Sequence, residues 1–160
     1  IKDMMKFKGI GSAKAITVCA ALELGRRRRE EEATSKARIT TSKQAFEILQ
    51  SDLSDASCEE FHILLLDRAH QLLSKNRISQ GGIHGTVVDA RMVFKPALEV
   101  GASAIILGHN HPSGNLTPTE QDIHLTLKLK EAAKLLYMNV LDHIIVGSNG
   151  YYSFLDEGKI

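Results

Sequence analysis

The residues of this chain best equipped for chemistry are crowded into one segment, His109-Asn110-His111-Pro112-Ser113-Gly114-Asn115-Leu116-Thr117-Pro118-Thr119-Glu120-Gln121-Asp122. His109 and His111 are two apart, and at the end of an extended strand that spacing sends both imidazoles to one side of the backbone. The loop after them reverses the chain. A helix begun at Thr117 then brings Asp122 back one turn in, on the same face as Thr119 three residues earlier. Two imidazole nitrogens and one carboxylate oxygen make three ligands of a tetrahedral zinc ion and leave the fourth position to water. Zinc lowers the pKa of such a water toward ~7 and polarises a carbonyl, so hydrolysis near neutral pH becomes feasible. A hydrolase of this type also needs a carboxylate that is not a ligand, to take the proton from the water and deliver it to the leaving group. Glu59 and Glu60 stand at the head of an apolar run, where strand alternation sends them to opposite faces, so at most one can serve.

These side chains need a scaffold, and the periodicity supplies one. Residues 60–67 form a short continuous apolar run that reads as a strand buried on both faces, with residues 72–79 as the other arm of a hairpin. Residues 104–107 and 140–146 read as further buried strands. Asn149-Gly150 is a hairpin turn, and residues 151–154 form the returning strand. Thr41-Ser42 caps a helix reaching about Leu53, with Ala45, Phe46, Ile48 and Leu49 facing inward. A second helical pattern runs from Asp89 to about Val100, stopped by Gly101 and flawed by an interior Pro96. Thr117-Pro118-Thr119-Glu120 reads as N-cap, N1 proline and capping-box glutamate of a helix running to about Leu136. Gly81 to Gly85 reads as a flexible loop. Together these elements predict a three-layer α/β domain around a mixed sheet.

Ahead of this domain the composition changes. The net charge of +1 conceals eight Lys or Arg against two acids in residues 1–29, +6, and twelve against seventeen in residues 30–160, −5, where all seven His lie. Residues 13–24 have apolar residues at helical spacing, with Gly25 placed to end the helix. Arg26 to Arg29 and Glu30 to Glu32 follow without apolar periodicity. The predicted organisation is therefore a basic head at 1–29, a linker at 30–38 and the α/β domain at 39–160. With 43% hydrophobic and 24% charged residues the chain belongs with globular proteins rather than disordered ones, and no apolar run approaches the ~20 residues of a membrane span. Cys19 and Cys58 are the only cysteines, so a disulfide framework or a four-Cys zinc site is excluded. The expectation is a reduced, cytoplasmic protein. The opening Ile1-Lys2-Asp3, without Met, reads as the start of a piece of something longer.

His109-x-His111, seven residues, Thr119, two residues and Asp122 resembles the JAMM signature of MPN-type metalloproteases, in which Ser stands at the Thr119 position. His109 to Gly114, with Leu141-Asp142-His143-Ile144-Ile145-Val146 and Ser153-Phe154 downstream, is similar to the bacterial RadC branch over residues 39–160. The resemblance implies an MPN/JAMM domain of the cytidine-deaminase-like type. It also implies Zn2+ as cofactor, held by His109, His111 and Asp122, with Glu59 as general base and Glu60 as its substitute, and a Thr119 hydroxyl assisting the oxyanion. The substrate would be a peptide or protein. Lys8-Gly9-Ile10-Gly11-Ser12-Ala13-Lys14-Ala15 looks like the hairpin of a helix-hairpin-helix module, here a short helical remnant, whose glycines expose N–H groups to a DNA phosphate.

Other polar residues have plainer readings. Glu120 is assigned to the capping box, His124 to the surface, Ser113 to local hydrogen bonding, and Asp142 with His143 to a structural pair. His62 and His70 carry no signal. His84 is a solvated loop residue, and the arginine and glutamate runs are a solvated helix end. Two functions follow from different classes: a zinc hydrolase of peptide or isopeptide bonds, and a DNA-repair-associated binding or interaction protein in which the metal is structural or vestigial. The −5 charge of the body argues against a DNA groove there. A nucleobase deaminase is excluded because its His-x-Glu and Cys-x-x-Cys ligands are absent. No membrane is expected, and homodimerisation is left open.

Overall fold

The structure is a computed structural model that describes residues 4–35, 37–54, 56–81, 88–148 and 150–160. It divides into two units, residues 1–36 and 37–160. In the first, a 3-10 turn at Met4–Lys6 leads through Gly9, whose φ of +88° needs a residue without Cβ, into α1 (Ser12–Ser35). The helix does not stop at Gly25. One glycine costs ~1 kcal/mol in a helix interior, and the arginines and glutamates that follow are good helix formers, so residues 30–35, expected in a linker, are helical.

In the second unit, α2 (Ser42–Leu53) is capped by the Thr41 hydroxyl as expected. The strands are β1 (Glu60–Leu66), β2 (Leu72–Gln80), β3 (Ala104–Asn110), β4 (Asn139–Gly147) and β5 (Gly150–Ser153), in sheet order β2-β1-β3-β4-β5. Among the described residues only the β3–β4 pair is parallel, so the sheet is mixed. α3 (Ala90–Glu99) runs through Pro96, capped by Asp89, and α4 (Glu120–Leu135) is the crossover that makes β3 and β4 parallel. The predicted loop at Gly81 to Gly85 and the Asn149 turn lie largely outside the described residues.

Alternation along the strands divides the core in two. Phe61, Ile63, Leu65, Ile105 and Leu107 face α3 and α4, where Val93, Phe94, Leu129 and Ala133 meet them. Leu64, Leu66, Ile106 and Ile144 face α2 through Ala45, Leu49 and Leu53. A sheet sandwiched this way has both faces covered, which explains why β1 and β3 are buried at every position. Gly108 lets α2 sit close: a Cβ there would lie 2.6 Å from Leu49 Cδ1. Between Val140 and Asp142 the β3–β4 pairing slips by one residue. Val140 therefore faces α4 while Asp142 and Ile144 face α2, and the intervening His143 returns to the α4 side. Among the described residues no helix is long and apolar enough to cross a membrane.

Candidate metal centre

β3 extends three residues beyond the expected Leu107 and carries His109 on its α4 face, 1% exposed, with the ring stacked on Phe61. His111 lies just past the strand on the same side, as strand alternation requires. Its Nδ1 donates to the Asn115 carbonyl at 2.6 Å. Asp122 arrives from α4, whose cap differs from the expected one. The N-cap is Thr119 rather than Thr117, and the capping-box carboxylate is Asp122 rather than Glu120. Thr119 accepts the Asp122 N–H at 3.2 Å, while Asp122 Oδ2 accepts both the N–H and the hydroxyl of Thr119 at 2.7 Å. The carboxylate is thus aimed by its own helix start.

The three side chains converge. His109 Nε2 is 2.9 Å from His111 Nε2 and 3.3 Å from Asp122 Oδ1, and His111 Nε2 is 3.5 Å from Asp122 Oδ2. One ligand atom from each lies within 4.8 Å of the others. Burial holds the His109 pKa down at about 4 despite the Asp122 charge. The hydrogen bond to Asp122 raises that of His111 against its partial burial. Burial pushes Asp122 up but is outweighed by His111, His109 and Thr119, leaving its carboxyl well below the usual range.

Residues 39–159 match the RadC-like JAB domain. The chain belongs to this family. It is 49% identical over 158 residues to a UPF0758 protein of Flavobacterium johnsoniae, covering 99% of this chain and 69% of the relative. It is 44% identical over 155 residues to one from Porphyromonas gingivalis, covering 96% and 68%. With UPF0758 protein SH1266 of Staphylococcus haemolyticus the identity is 40% over 158 residues, covering 99% and 69%.

The donor set of this RadC-like JAB domain fits a metal ion on its own chemistry. The Asn115 carbonyl has no proton to give, so His111 carries hydrogen on Nδ1, and the Nε2 lone pair of the neutral ring faces the cluster. A carboxylate accepts only. Electron pairs converging this closely need a hydrogen or a cation between them. A hydrogen on one of the ring nitrogens meets that need without a metal, and a divalent ion of the zinc type would take one atom from each residue.

The two glutamates separate as alternation requires. Glu59 lies within the fields of Asp122 and His111; burial first and the Asp122 charge second raise its pKa. Glu60 points to the α2 side, where Oε2 meets His62 Nε2 at 2.9 Å and Oε1 meets Arg77 at 3.3 Å. Thr119 gives its hydroxyl hydrogen to Asp122, so the bond on view is to the carboxylate. His124 is exposed and Ser113 Oγ bonds locally to the Asn115 N–H, both as expected.

Sequence reasoning gave Asn110 and Thr126 no part in this RadC-like JAB site, and gave His143 only a structural pairing with Asp142. Asn110 reaches to the other side of β3: Oδ1 accepts the Glu60 N–H at 2.8 Å and Nδ2 donates to the Cys58 carbonyl at 3.0 Å. The expected Asp142–His143 pair is made through the backbone: Asp142 Oδ1 accepts the His143 N–H at 2.7 Å, while the His143 ring turns to the other side of the sheet. Asp142 accepts from Ser153 Oγ and the backbone of His143 and Leu155, whereas His143 meets His109. Thr126 lies behind both. The run Leu141 to Val146 marked His143 as part of a strand, but its contact with His109 spans 34 residues and no local pattern reports it.

Proposed function

We propose that this RadC-like JAB domain is a zinc-dependent hydrolase of peptide or isopeptide bonds. The observation that carries the reading is the convergence of His109, His111 and Asp122 beside a second, non-ligand carboxylate whose pKa is raised, Glu59. His109 Nε2, His111 Nε2 and Asp122 would hold the ion, which when bound supplies Lewis-acid activation of water and of the scissile carbonyl. Glu59 takes the proton from the attacking water and returns it to the departing amine; a raised carboxyl pKa suits a group that must hold and release a proton near neutral pH. Thr119 enters as the residue that fixes Asp122, and its hydroxyl contacts an oxyanion only by exchanging that partner. Cys19 and Cys58, both free thiols, accord with a reduced, cytoplasmic setting.

The test has two parts. Purified protein should carry about one zinc per chain, lost in a His109→Ala, His111→Ala double variant. A peptide and isopeptide library should be cleaved by the parent, and Glu59→Gln should abolish cleavage while zinc stays. Equal metal in parent and double variant rejects the site, and unchanged cleavage in Glu59→Gln rejects the base.

DNA contact is a separate proposal, confined to residues 1–29. The charge of +6 there and the positive-φ turn at Gly9 before α1 support it. Binding to duplex DNA should weaken steeply with salt and vanish when those lysines and arginines are replaced.

A further inference from the structure

Behind His109 lies a buried hydrogen-bond chain that closes on the same helix that delivers Asp122. His109 Nδ1 is 2.8 Å from His143 Nε2, His143 Nδ1 is 2.6 Å from Thr126 Oγ1, and Thr126 Oγ1 is 2.6 Å from the Asp122 carbonyl oxygen. His143 is fully buried, and Thr126 and His109 are each 1% exposed, so no water competes for these bonds. The chain can be read in one direction only. A carbonyl oxygen has no proton, so the single hydroxyl hydrogen of Thr126 goes to Asp122, the helical i−4 bond that threonine commonly makes. Toward His143 the hydroxyl then offers a lone pair, and Nδ1 must carry the hydrogen. Each ring nitrogen of His143 has one partner, and with the hydrogen on Nδ1 the neutral ring leaves Nε2 bare. His109 Nδ1 must donate to it. His109 therefore presents a bare Nε2 to His111 and Asp122.

We propose that Thr126 and His143 are positioning residues that lock His109 in its Nδ1–H tautomer, so that the affinity of the centre for zinc depends on the Thr126 hydroxyl. Reversing one bond shows what is at stake. If Thr126 donated to His143 instead, hydrogen would move to His143 Nε2, and then to His109 Nε2, where it would block the ligand position. The Asp122 backbone carbonyl prevents this, so one residue supplies a carboxylate to the cluster and the reference acceptor for the proton order behind it. The inference rests on His109 being a ligand, as proposed above.

The experiment compares the parent with Thr126→Val, which keeps the shape and removes the hydroxyl, and Thr126→Ser, which restores it. Zinc affinity is read by chelator competition, and the imidazole nitrogen shifts of His109 are read by NMR in the metal-free protein. The expectation is Nδ1–H in the parent and in Thr126→Ser, with near-parent affinity for both. Thr126→Val should show a mixture of tautomers and zinc binding ~10–100-fold weaker, the range for lost support of a metal-bound histidine. Affinity in Thr126→Val within twofold of the parent, or equal losses in both variants, overturns the proposal. Should Thr126→Val not fold, the parent spectrum still decides: hydrogen on His109 Nε2 overturns it. That measurement needs no metal, so the hydrolase reading and this one fail separately.

Discussion

The side-chain oxygen of Asn110 accepts the backbone N–H of Glu60 at 2.8 Å. With the bond from Asn110 to the Cys58 carbonyl, it clamps both neighbours of Glu59 to the strand that carries His109. The distance between the proposed base and the proposed metal ligands is therefore set by a residue that faces away from both.

Replacing Asn110 with Ala should leave zinc content unchanged and lower cleavage by up to ~100-fold, the scale of a misplacement near 1 Å in a reacting pair. Parallel metal analysis and rate measurements check this. Loss of zinc along with activity would show that Asn110 supports the ligands rather than Glu59.

Glu60 should behave as a structural residue. Glu60→Ala leaves the buried His62 Nε2 and part of Arg77 without their acceptor. Urea unfolding should show a loss of about 1–3 kcal/mol, the usual cost of a stranded buried polar group. The rate per folded molecule should stay within a few-fold of the parent.

Gly108 admits Leu49 of α2, itself wholly buried. Gly108→Ala should cost ~1–3 kcal/mol through overpacking. Adding Leu49→Ala should be less harmful in that background than in the parent, because the space it vacates is the space the new methyl needs. Additive losses in the double-mutant cycle would refute the contact.

The Asp89 carboxyl, held by hydrogen bonds from Arg91, is lowered to about 2. Its unfolded value is ~3.9. A depressed folded-state pKa means a stabilising contribution that is complete above the unfolded value and fades as pH falls toward 2. Asp89→Asn keeps an N-cap of α3 and removes that titration. The difference in melting temperature between the two proteins should therefore shrink between pH 5 and pH 2, and shrink at neutral pH when salt is added.

Chelation should lower the melting temperature of zinc-loaded protein and leave the His109→Ala, His111→Ala variant unmoved. An ion that binds only the folded state at 100 times its dissociation constant contributes about 2.7 kcal/mol.

How much of this was legible in the sequence follows from the range of the forces involved. Placing His109 and His111 on one side of a strand needs only the pleat, and placing Glu59 and Glu60 apart needs the same rule one strand over. The Thr41 cap and the β1–β2 hairpin are also local. Even local rules fail where two solutions overlap. Thr117 with Glu120 and Thr119 with Asp122 are both capping boxes by spacing, and the folded chain uses the second, whose carboxylate also meets His109 and His111. Gly25 marked a helix end that its helix-forming neighbours override. Tertiary structure alone decided the rest. The one-residue slip between β3 and β4 turns His143 toward α4. Parallel pairing then sets it against His109, and Thr126 reaches it from α4. The sequence by itself determined which side chains could bind a metal. Register between strands distant in the chain decided which nitrogen of His109 faces the cluster, because a tautomer is set by the partner on the far side of the ring.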